Sequence, residues 1–254
     1  MISMITNQNI LITNLVMFGL LLFFMRKANA GKIPQIRQIA AVDAIAEGIG
    51  RAAEQNRPVF FFPGSVALES SEMVQTLAAL NVLSQVAQIA ADKGAVLKCV
   101  AGHSTIFPLM EETLRQAFLT AGTPESYKSD TLLWFSDSAY ARDAAVMGMM
   151  HRERFATNII IGRCYVESMM YCETGNFLGA LQIGGTAAAI QAPFFVTMCD
   201  YALIGDEIYA AGASLSKDPV QLGSIEAQDI GKAIAIVLII IGTVLLSLGI
   251  RFSL

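Results

Sequence analysis

Five carboxylates stand in unusually apolar company. Glu167 and Glu173 flank the run Met169-Met170-Tyr171-Cys172, and Asp200, Asp206 and Glu207 lie in CDYALIGDEIYAAGA. A carboxylate in such surroundings has to be paired, protonated, ligated to a cation or turned to solvent. Three readings follow: a structural network of ion pairs and caps, a site for a divalent cation or polar ligand, or exposed charge. Arg163, just before the acidic segment, is the expected counter-ion. Upstream of Asp200, the turn Gly184-Gly185-Thr186 follows a strand-like segment, where helix-start N–H groups and a hydroxyl favour an anion. The candidate ligand-binding set is therefore Gly184, Gly185, Thr186, Glu173, Asp200, Asp206 and Glu207. No residue is assigned a catalytic role, and neither a metal nor a cofactor is specified.

The familiar signatures of nucleotide, hydrolase and zinc chemistry are missing. The chain has no GxxxxGK[ST], no GxGxxG after a strand, no GxSxG and no HExxH. His103 and His151 are far apart and neither has a patterned partner. The cysteines at 99, 164, 172 and 199 lie in or beside apolar runs without a CxxC, which points to buried, reduced thiols.

The elements that would position these residues alternate in type. Helical spacing of apolar residues covers Ile33 to about Asn56, and RPVFFFPGS reads as a buried strand closed by a turn. A long helix follows with Ser70 or Ser71 as cap and Gly94 as stop, then the strand AVLKCV and a helix from Pro108 to Leu119. TLLWF (131–135) is a strand, Ala139 to Arg152 a helix, NIIIG (158–162) a strand and Cys164 to Tyr171 a helix. GALQIGGTAA holds a strand, and the segment from Pro193 onward is either one strand and one helix or helix throughout. Such alternation predicts an α/β fold, an open and mainly parallel sheet flanked by helices. Ligands in such sheets bind beyond the carboxyl ends of the strands. The loops expected there are Pro63-Gly64-Ser65, Gly102 to Thr105, Ser136-Asp137-Ser138 and the Gly184 turn.

Two charge-free runs bracket this domain, Asn9 to Met25 and Ala233 to Ile250, in a chain with 15% charged residues. Roughly 17–25 apolar residues cross a bilayer as a helix. Ala28-Asn29-Ala30 after the first run looks like a leader cleavage site, but a leader carries its basic residues before the apolar run. Here Arg26, Lys27, Lys32 and Arg37 follow it. Basic flanks stay cytoplasmic, which predicts an anchor, with both termini outside and the middle inside. The expected division is 1–27 as N-terminal transmembrane anchor, 28–231 as cytoplasmic α/β domain and 232–254 as C-terminal transmembrane helix. A net charge of −4 with mixed signs gives no basic face for nucleic acid.

Several motifs carry a resemblance. They are the E-S-M at Glu167, G-A-L-Q-I-G-G-T at 179–186, Q-A-P-F-F at 191–195, C-D-Y-A-L-I-G-D-E at 199–207, D-P-V-Q-L-G-S at 218–224 and the final Q-D-I-G-K. With AVDAIAEGIGRAAEQNRPVFFFPG earlier, residues 40–232 resemble an uncharacterised family of membrane-anchored bacterial and archaeal proteins, a domain of unknown function. Gly184 stands where the family pattern has Ala. The resemblance implies a cytoplasmic domain followed by a transmembrane helix, and no activity.

Two functions remain open. One is a non-enzymatic, membrane-anchored structural subunit that assembles with itself or within a larger membrane complex, in keeping with two anchors, low charge and 12 methionines. The alternative is a membrane-tethered ligand-binding or enzymatic domain that takes an anion or divalent cation at the strand ends. The expected partners are the lipid bilayer and further copies or subunits of a membrane complex.

Overall fold

The segment Val59-Phe60-Phe61-Phe62 is apolar at every position and rich in residues that suit a pleated strand, so it needs cover on both faces. The computed structural model, which describes residues 2–32, 34 and 37–247, provides it. β1 (Val59–Gly64) lies near the middle of a six-stranded sheet with β2 (Leu97–Val100), β3 (Leu132–Leu133), β4 (Thr157–Arg163), β5 (Leu181–Thr186) and β6 (Tyr201–Ile204). The order is β3-β2-β1-β4-β5-β6, and every neighbouring pair is parallel.

The pleat divides the core. Val59 and Phe61 face one layer with α2 (Ala40–Glu54), α3 (Met73–Lys93), α4 (Phe107–Thr120) and α8 (Glu207–Ser216). Phe60 and Phe62 face the other, with α5 (Ala139–Glu153), α6 (Glu167–Phe177) and α7 (Ala192–Met198). The chain is thus α/β, with an open parallel sheet flanked by helices.

Several elements differ from expectation for physical reasons. β3 is two residues rather than five, because only β2 pairs with it and Trp134 already stands in solvent. α6 begins at Glu167, not Cys164, because β4 runs on through Arg163 and Cys164 is buried at its exit. The stretch after Pro193 is neither of the two forms expected: it folds as helix, strand and helix. Asp200 accepts a hydrogen bond from the Gln182 amide (2.8 Å) and so starts β6 beside β5, and Gly205 (φ +65°) turns the chain into α8. Gly94 ends α3 in the left-handed conformation, as its sequence position predicts. α3 is apolar and long enough to cross a membrane, but its residues form the core.

The chain divides into two compact units, residues 38–216 and residues 1–37 with 217–254. The second unit holds α1 (Ile2–Asn29) and α9 (Pro219–Ser247). Gly223 approaches Phe24 and Ala28, whereas Gly231 approaches Met17, so the two helices run antiparallel. Lys27 Nζ donates to Glu226 Oε1 at 2.9 Å across them. Residues 214–223 are mostly helix, and Asp218 Oδ1, just before α9, accepts from the Val220 amide in its first turn. Ile33, Ile36 and the part of the second apolar run beyond Ser247, with Arg251, lie outside the described residues.

Candidate functional site

Strand order reverses direction between β1 and β4, and in open parallel sheets this switch point is where a crevice opens at the carboxyl ends. Here the backbones approach closely. A Cβ on Gly64 (φ +86°) would lie 2.5 Å from the Arg163 carbonyl oxygen, and one on Gly162 (φ +133°) 2.3 Å from that of Pro63. Only glycine fits, and the pairing register shifts between Phe62 and Gly64. That contact aims Ser65, after β1, and the segment after β4 toward the same space.

A cavity of about 540 Å³ opens there, lined by Ser65, Asp137, Tyr140, Arg142, Asp143, Met147, Tyr165, Glu167 and Met170 among others. Its floor is charged and buried. Arg142, Asp143 and Glu167 are 2%, 5% and 2% exposed. Arg142 Nη1 donates to the Gly102 carbonyl at 2.9 Å, its Nε donates to Asp143 Oδ1 at 3.1 Å, and its Nη2 lies 3.7 Å from Glu167 Oε1. The Tyr171 hydroxyl donates to the same Asp143 oxygen at 2.7 Å, and Ser65 Oγ donates to Glu167 Oε1. Phe62 supports the guanidinium from below, its ring centre 5.9 Å away.

Electrostatics act on Arg142 and on the Tyr171 and Cys164 side chains beside it. Burial alone would lower the Arg142 pKa, but the Tyr171 oxygen and the Asp143 and Glu167 carboxylates outweigh it and hold the guanidinium above its ordinary value. Burial, then the bond to Asp143, pushes the Tyr171 hydroxyl far up, so it stays a donor. Burial and then the Glu167 charge raise the Cys164 thiol, which is inert as a nucleophile. At the rim, Asp137 accepts from Ser104 N and Ser104 Oγ, both at 2.6 Å, and from Trp134 Nε1 at 3.2 Å. His103 Nδ1 is 3.9 Å from Asp137 and caps the turn at Thr105.

The residues singled out from sequence are spread over the domain. Gly184 and Gly185 are buried in β5, where a Cβ on Gly184 would run into Phe195 and Cys199. Thr186 Oγ1 lies 3.3 Å from both Gln75 Oε1 and Gln191 Oε1, and it accepts from the Ala188 amide at 3.1 Å. Gln75 Oε1 also takes the Ala187 amide at 3.0 Å, so the turn's N–H groups already have acceptors inside the protein. Asp200 sits at the amino end of β6, whereas Asp206 and Glu207 follow its carboxyl end. Glu173 is exposed on α6. Arg163 pairs with Glu72 at 3.1 Å, and the counter-ion of Glu167 is Arg142 instead. Among the described residues no group of three His, Cys, Asp or Glu side chains is placed to hold a metal ion.

The family described as Domain of unknown function (DUF6754) matches residues 2–253, both units together. The chain belongs to that family. No curated protein and no solved structure matches it. For this DUF6754 member the cavity is therefore read from its own chemistry. None of the seven residues singled out as ligand-binding lines this cavity; Glu167, noted as a carboxylate in apolar company, does, whereas Arg142, Asp143 and Tyr171 are not singled out. The available signal was a charged pair inside the helix AYARDAAVMGMM, at positions that helical spacing places beside Val146 and Met149.

Proposed function

We propose that this protein is a membrane-anchored α/β domain that binds a small organic molecule in the cavity at the carboxyl ends of β1 and β4. The observation that carries the reading is the buried Arg142–Asp143–Glu167 floor beneath an open cavity of about 540 Å³. Buried ion sets are weak stabilisers compared with apolar packing, and a set open to a cavity is where binding chemistry concentrates. A screen of fragments against the full-length protein in detergent tests it by thermal shift. Ala144→Trp, at the cavity wall, is expected to abolish the shifts. Fragment shifts that survive it, or no shifts at all in the parent, sink the reading.

Anchoring draws on α9, 29 residues with mean hydropathy 2.5 in its most apolar window, of which 6% is buried. The basic residues Arg26 and Lys27 in the last turn of α1 favour a cytoplasmic α/β domain with both termini outside. A cysteine placed at Lys217 should resist an impermeant maleimide in intact cells and react after lysis; labelling in intact cells overturns the topology. The assembling-subunit reading rests on composition, and Met110, Met149 and Met150 are spent in the cores. A detergent-extracted particle of one or two copies counts against it.

A further inference from the structure

The charges around the cavity do not balance. Its floor carries one guanidinium against two carboxylates, Asp143 and Glu167, and Asp137 adds a third at the rim. Arg142 is committed to the protein: Nη1 serves the Gly102 carbonyl, Nε serves Asp143 and Nη2 faces Glu167. It has little left for a bound anion. The carboxylates are only half used. Asp143 takes its bonds on Oδ1, from Arg142 and Tyr171, and Glu167 takes its contacts on Oε1, from Ser65 and Arg142. Among the described residues no hydrogen bond reaches Asp143 Oδ2 or Glu167 Oε2, although both residues are at least nine-tenths buried and line the cavity.

Among the described residues no lysine lines the cavity, and Arg163, at the end of β4, is paired with Glu72 and stacked on Tyr165 at 5.1 Å. Two carboxylates that share one guanidinium leave negative charge in excess at the cavity floor, and a positive group entering the cavity offsets it. The upper wall is apolar and aromatic, with Met147, Met170, Tyr165 and the exposed ring of Tyr140. Aromatic faces favour organic cations.

We infer that the cavity selects a small organic cation, a protonated amine carried on an apolar or aromatic body, with the ammonium group on the free oxygens of Asp143 and Glu167. The inference rests on the ligand-binding reading above and adds the sign of the ligand's charge. Calorimetric titration of the full-length protein in detergent with phenethylamine, phenethyl alcohol and phenylacetate tests it, because the three share one body and differ in charge. The amine is expected to bind about tenfold more tightly than the alcohol, the ratio one modest charge interaction gives, and phenylacetate most weakly. In Glu167→Gln, which keeps an acceptor for Ser65, the amine should lose its advantage over the alcohol. Equal binding of all three, or tightest binding of phenylacetate, overturns the cation inference and leaves the ligand-binding reading standing. Binding of neutral fragments without any of the three also overturns it. If neither fragments nor these probes bind, both readings fall.

Discussion

Two polar clusters occupy the carboxyl edge of the same sheet and behave in opposite ways. At the end of β5, Thr186, Gln75 and Gln191 form a neutral set closed on itself, with the turn amides of Ala187 and Ala188 already satisfied. At the ends of β1 and β4, Arg142, Asp143 and Glu167 form a charged set that is buried yet open to a cavity. The first locks a loop. The second keeps unspent acceptors facing space that a ligand can enter. The difference follows from topology: connections diverge at the switch point and leave a crevice, whereas at β5 the segment after the strand folds straight back onto its neighbours.

The largest effect should come from breaking the charged set. Arg142→Ala strands two carboxylates in the interior, and the loss of stability in a urea titration should be roughly 3–5 kcal/mol. A loss below about 1 kcal/mol would mean that the floor is solvated like a surface pair, and the contrast would collapse. Next in size, Thr186→Val removes the hydroxyl that joins Gln75, Gln191 and the Ala188 amide. It should cost about 1–3 kcal/mol and leave fragment binding unchanged; altered binding would show that the two clusters are one site.

The smallest effect concerns pH. Hydrogen bonds from Ser104, with further help from Trp134 and His103, hold the exposed Asp137 carboxyl below its ordinary value of 3.8. A depressed carboxyl contributes stability above the unfolded value and loses it as pH falls through the folded one. The Ser104–Asp137 clamp is therefore intact at neutral pH and weakens only in acid below that ordinary value. In Asp137→Asn this acid-dependent component of the urea midpoint should vanish; an unchanged acid profile would remove Asp137 from the account of the rim.

Much of the architecture was legible in the sequence, because it depends on local pattern. The apolar run at β1, the left-handed stop at Gly94 and the loops at the strand ends all follow from neighbours a few residues apart. The candidate site was legible only in part. Glu167 stands out in its apolar segment, but Arg142-Asp143 reads as an ordinary solvated pair on a helix until α5 is laid against β1. Arg142 then meets Gly102, 40 residues away. The reverse holds at Thr186. Its turn resembles an anion cradle until Gln75, 111 residues earlier, arrives to fill it. Both outcomes depend on side chains that only the crossovers bring together.

The sheet's margins limit how copies of this domain can meet. β3 is two residues long and β6 four, so each margin exposes very little unpaired backbone. Strand addition needs a longer unpaired edge to template another chain. Fibre-like growth by continuing the sheet from one molecule into the next is thereby disfavoured. Contacts between copies of this α/β unit would then rest on side-chain shape and charge, not on backbone pairing.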